Sequence, residues 1–133
     1  MVRRLGMAYF AGAVGALTAS FAHWLGVQLG LFEALGVSLA PSLSWHWLQS
    51  RLLWGSLFGL VYPLVRRRGF TPVRSGLVLS LLPSAVELCL WMPLGGQGFL
   101  GLSLGGFTPL VVLALNVIWG WSLARIMISA GHS

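Results

Sequence analysis

Two glutamates, Glu33 and Glu87, and eight arginines are all the charged side chains of this 133-residue chain, which has no aspartate and no lysine. Glu87 and Arg51 are the ones that could do chemistry, because both belong to apolar stretches in which a charge is costly unless it is paired or used. Asn116 and His23 are the other strongly polar residues in such stretches. An Arg51–Glu87 pair with Asn116 hydrogen-bonded nearby could hold a substrate or ion, or Glu87 could exchange a proton during transport. The same pair could equally do no more than neutralise two costly charges and fix helix register. Arg51 could also snorkel to the interface with no contact to Glu87. The sequence leaves these three outcomes open.

Other chemistry has little to stand on. There is no GxSxG, no HExxH and no phosphate-binding glycine loop with a lysine, and the only two carboxylates lie on separate segments, so an enzyme is not expected. Cys89 is the single cysteine, which rules out an internal disulfide and a CxxC metal site. A bis-histidine haem would need His23 and His46 on facing helices at one depth, a match the spacing meets only loosely, and His132 reads as a tail residue. Neither a metal nor a cofactor is expected. The seven tryptophans group toward the two ends of the apolar runs and read first as interfacial belts. No resemblance to a known family reaches the level of residues.

These residues must be carried by membrane helices. Hydrophobic residues make up 57% of the chain and charged ones 8%, a membrane composition. Between Arg4 and Glu33 lie 28 uncharged residues and between Glu87 and Arg125 lie 37, whereas one bilayer crossing needs about 20. The expectation is an all-α integral membrane protein of one domain, a four-transmembrane-helix bundle with spans at about 5–31, 45–65, 72–92 and 109–128. Arg3 and Arg4 before an apolar run, with Ser20-Phe21-Ala22 further on, resemble a signal peptide, but the run continues past Leu25 and a retained helix is expected.

The net charge of +6 sits at the ends of apolar runs, which marks loops rather than a nucleic-acid surface. With four spans, Arg3, Arg4, Arg66, Arg67, Arg68, Arg74 and Arg125 fall on one side, and by the positive-inside rule that side is cytoplasmic. Both termini are then cytoplasmic, in a membrane expected to be the bacterial inner membrane.

Small residues mark the packing faces. Ala8, Gly12, Ala16 and Ser20 form one row on the first helix and Ala11, Gly15 and Ala19 another, while Gly55 and Gly59 make a GxxxG pair and Gly120 aligns with Asn116. Counting from the helix starts puts Arg51 about 10 Å and Asn116 about 12 Å from the outer side, with Glu87 about 22 Å from the cytoplasmic side, so the three share one depth. The tetrapeptide GFTP occurs at residues 69–72 and 106–109, where Thr suits an N-cap and Pro a first helical residue. Both copies are expected to start helices. The glycine-rich, apolar segment 93–106 is expected to lie against the bundle as a surface loop rather than to enter the bilayer.

A weak internal match exists as well. Gly12, Ser20 and His23 can be laid over Gly76, Ser84 and Glu87, and Gly36-Val37-Ser38-Leu39 over Gly101-Leu102-Ser103-Leu104. If it is a duplication, it is a parallel one of helix pairs.

For function, the surplus of close-packing surface favours an accessory or assembly subunit that packs against other membrane helices or a second copy of itself. The alternative is a small homo-oligomeric transporter or channel that uses Glu87. Lipid and helices are the expected partners, and nucleic acid is not.

Overall fold

The computed structural model describes residues 2–37, 45–96 and 98–131, and among these every regular element is helical. Helix α1 (Val2–Gln28) is followed by the single turn α2 (Leu31–Ala34), by α3 (Trp45–Gly59) and by the short α4 (Tyr62–Arg66). A stack without intervening loops follows: α5 (Pro72–Leu79), α6 (Leu81–Val86), a π-helical turn (Glu87–Trp91) and α7 (Met92–Leu94). After a 3-10 segment (Phe99–Leu104), α8 (Thr108–Ser129) closes the fold.

Three helical stretches are long and apolar enough to cross a membrane: Val2–Gln28, Pro72–Leu94 and Thr108–Ser129. The stretch expected at 45–65 is interrupted. Helix α3 has 15 residues, a rise of about 22 Å, and two turn residues separate it from α4. Pro63 accounts for the interruption, because it has no N–H to offer the carbonyl of Gly59 four residues back. The first helix also ends earlier than expected, at Gln28, and Gly30 then turns the chain with φ 75°. The serines of the preceding connection lead the sequence to predict a helix start near Ser42 or Ser44, and these residues lie outside the described ones.

The helices pack in the order α3, α1, α8, α5–α7, each antiparallel to its neighbour. Gly59 meets Ala8 while Gly55 meets Gly12 and Ala16, and on the other side Gly76 meets Gly120 while Ser84 reaches Asn116. At the glycine crossings the approach is backbone to backbone. A Cβ on Gly59 would stand 2.7 Å from the carbonyl oxygen of Ala8, and one on Gly15 2.7 Å from that of Trp119. One on Gly12 would strike the carbonyl of Gly55, and Gly76 and Gly120 would strike each other's. The rows of small residues read from the sequence are thus consumed inside the bundle. Around them Leu79, Trp119, Leu123 and Met127 form the main core with Tyr62.

Antiparallel packing gathers Arg3, Arg4, Arg66, Arg67, Arg68, Arg74 and Arg125 at one end. There the Arg66 guanidinium donates to the carbonyl of Phe70, and the Tyr62 hydroxyl donates to the carbonyl of Pro72 at 3.4 Å. The first GFTP copy caps α5 as its composition suggests: Thr71 is the N-cap, its hydroxyl accepts from the N–H of Arg74, and Pro72 is the first helical residue. The second copy also starts a helix but by other means. Phe107 is the N-cap and Thr108 is fully buried within α8, with no cap bond from its side chain.

At the far end the glycine-rich segment lies across the helices. Gly101, with φ 68°, is buried against Met92 and Thr108, and Leu100 and Leu104 pack on Leu88, Met92 and Val112. This agrees with a loop held against the bundle, with one 3-10 segment that the glycine content concealed.

Replacing Gly12 or Gly120 by Ala should lower stability in mild detergent by about 1–3 kcal/mol, the usual cost of overpacking against groups that cannot withdraw. Gly6→Ala is the control, since a Cβ there meets nothing within 4 Å and the change should be neutral or stabilising by up to about 1 kcal/mol. Thermal unfolding followed by tryptophan fluorescence reads both.

Candidate functional site

A cavity of about 370 Å³ opens between the helices away from the arginine-rich end. Helix α1 contributes Ala19 and His23, α3 contributes Arg51 and Trp54, the π-helical turn contributes Glu87 and Trp91, and α8 contributes Asn116 and Trp119. The volume is at the small end of the roughly 300–1,000 Å³ typical of small-molecule sites. Between α3 and the π-helical turn the wall is made of rings: Trp54 lies 5.1 Å from Trp91 at 65°, and Phe58 lies 6.4 Å from Trp91.

Each polar group at this level is held by a neighbour. The Arg51 Nε donates to the Ser20 hydroxyl at 3.1 Å, and its guanidinium carbon sits 4.8 Å from the centre of the Trp47 ring. One of the five guanidinium donors is therefore committed to α1 and the ring fixes the plane. Across the cavity, the Asn116 amide donates to the Ser84 hydroxyl at 3.1 Å, and that hydroxyl donates to the carbonyl of Ser80 at 2.9 Å. Glu87 lines the same cavity as Asn116 and Arg51. His23 is buried, stacked on Phe32 at 5.0 Å and 24° and edge-on to Trp47 at 5.9 Å.

The four residues singled out from sequence, Arg51, Glu87, Asn116 and His23, thus line one cavity. They are not joined as a direct pair. Among the described residues Arg51 is bonded to Ser20 rather than to Glu87. His46 is exposed and does not line the cavity, so the two histidines do not face each other there. One tryptophan assigned to a belt serves the interior instead. Trp119 is buried and its Nε1 donates to the carbonyl of Gly12 at 3.0 Å, whereas Trp45 and Trp121 remain largely exposed.

The two halves of the chain make matching contacts. Gly76, Ser84 and Glu87 each lie 64 residues beyond Gly12, Ser20 and His23, and Asn116, Trp119 and Gly120 each lie 65 beyond Arg51, Trp54 and Gly55. Gly12 crosses Gly55 and Ser20 bonds Arg51; Gly76 crosses Gly120 and Ser84 bonds Asn116. The second correspondence was legible as the Trp-Gly dipeptide at residues 54–55 and 119–120, a signal stronger than the glycine and serine matches. The halves differ at one seam. Trp119 closes α8 onto α1 through Gly12, while its counterpart Trp54 meets Trp91 across the cavity.

No known protein family, curated protein or solved structure matches the chain. What the arrangement can do chemically therefore rests on the cavity itself: a cation, a carboxylate, an amide and an imidazole in one wall lining, with apolar rings around them.

Ser20→Ala and Ser84→Ala should each lower stability by about 0.6–1.7 kcal/mol, the range for hydrogen bonds between membrane helices. Ser20→Ala should be the costlier because its partner is charged. Unfolding of the purified variants in mixed micelles measures both against the parent.

Proposed function

We propose that the chain is a four-span integral membrane protein that binds a small solute inside the bilayer and moves it, as a homo-oligomer, with Glu87 as the titrating group. The single observation that carries this reading is the cavity in which Arg51, Glu87, Asn116 and His23 meet. Ionisable groups at membrane depth mark solute and proton paths far more often than they mark mere packing, and sites of this kind are found where repeats meet.

The fourth span is α3 with α4 taken together. Residues 45–66 rise about 33 Å if counted as one helix, enough for a hydrocarbon core of about 30 Å. The break is tolerable because Gly59 is buried inside the bundle against α1. Orientation follows from the arginines: their end faces the cytoplasm of a bacterial inner membrane, with both termini there.

An accessory subunit is the competing reading, and its case rested on close-packing surface left over after the bundle forms. Gly12, Gly15, Gly55, Gly59 and Gly120 are occupied within the bundle, which leaves that reading without its main support.

Reconstituted vesicles enclosing a pH-sensitive dye should show proton uptake that falls at least tenfold in Glu87→Gln. Equal uptake in both, together with recovery of the chain from its native membrane only in company with larger membrane proteins, would favour the subunit. Single cysteines placed at Gly69 and Gly131 in a Cys89→Ala background should label from the cytoplasmic side, and one at Gly98 from the opposite side. Labelling of Gly69 and Gly98 from one side would remove the four-span topology.

A further inference from the structure

Resting on the cavity as a binding site, we infer that its ligand is a small zwitterion with an apolar side group, the class of an apolar amino acid. Three observations converge on this. First, Arg51 from α3 and Glu87 from the π-helical turn both line the cavity, and Arg51 is bonded to Ser20 rather than to Glu87, so the site offers a positive and a negative pole. A cation alone would meet the guanidinium, and an anion alone would meet the carboxylate. A zwitterion satisfies both poles, and the occupied site stays neutral, which matters in hydrocarbon.

Second, the poles are oriented by groups other than each other. Ser20 and Trp47 hold Arg51, whose terminal amino groups remain as a fork for a ligand carboxylate. Asn116, itself fixed by Ser84, lies beside Glu87, whose carboxylate can take a ligand ammonium. Third, apart from His23 and Ser50 the rest of the lining is apolar and aromatic, with Trp54 and Phe58 of α3 against Trp91 of the π-helical turn, which suits a side group rather than a second polar end. The small volume excludes a phospholipid headgroup together with its chains.

A matched trio of probes tests this: phenylalanine, phenethylamine and 3-phenylpropionate share one ring and differ only in charge. Binding to the full chain in detergent is followed by calorimetry and by quenching of tryptophan fluorescence. Phenylalanine should bind at least tenfold tighter than either single-charge analogue. Glu87→Gln should bring 3-phenylpropionate level with phenylalanine, and Arg51→Gln should do the same for phenethylamine. Arg51→Lys keeps the charge and should keep the preference, which separates loss of recognition from loss of folding. Phenethylamine binding the parent as tightly as phenylalanine would overturn the zwitterion while leaving an intramembrane cation site. Absence of binding by all three would overturn it too, and the vesicle proton-uptake measurement then decides independently whether the cavity reading itself survives.

Discussion

Everything in this fold depends on two places where helix backbones touch. In a bilayer there is no hydrophobic force pressing one apolar helix on another, so close van der Waals approach and interhelical hydrogen bonds must do that work. Gly12 against Gly55 and Gly76 against Gly120 bring the backbones to the limit of contact. About two turns from each crossing, helices that close allow a serine, the shortest hydroxyl side chain, to reach across. Ser20 finds Arg51 and Ser84 finds Asn116, both at 3.1 Å. A Cβ at either crossing would push that pair of helices apart and pull its serine bond open, so packing and polar satisfaction are one constraint here.

Proline supplies the opposite tendency. Pro63, Pro83 and Pro93 each withdraw one N–H from a helix, and the ladder responds with the interruption after Gly59, the break at Ser80 and the π-helical turn at Glu87–Trp91. Such breaks are tolerated in membrane helices when neighbouring side chains satisfy the freed backbone groups. The hydroxyls of Ser80 and Ser84 donate to the carbonyls of Leu77 and Ser80. Ser84 therefore has two duties, closing a broken turn and orienting Asn116. Glu87 sits at the start of the widened turn.

Much of this was legible in the sequence, for identifiable reasons. Helical class, the packing faces and the shared depth of Arg51, Glu87 and Asn116 follow from run lengths and from spacings of four, which survive any detail of packing. Helix ends were less legible, because Gly30 and Pro63 act on the backbone locally within apolar surroundings that look continuous. The absence of a direct Arg51–Glu87 bond could not be read at all. Depth and face are one-dimensional properties of each helix, whereas the gap between α3 and the π-helical turn is set by which helices take the central positions. Trp119 was misassigned to a belt because an indole within an apolar run looks the same in sequence whether it meets lipid or a carbonyl such as that of Gly12.

The matching halves give the cavity its electrostatic logic. Two identical helix pairs placed side by side would set like residues across the opening, two guanidiniums or two carboxylates, and like charges in a low-dielectric site cannot both remain ionised. Here the scaffold positions are kept and the polar ones are not: Arg51 corresponds to Asn116, and His23 to Glu87. One half thus carries the cation and the other the anion, while the glycine crossings and the serine donors and acceptors that position them are the same in both. The tryptophans follow the same rule, since one closes the α1–α8 seam and the other lines the opening. Divergence at these few positions, on a scaffold fixed by glycine and serine, is enough to turn a symmetric packing of helices into a site with two poles and an open side.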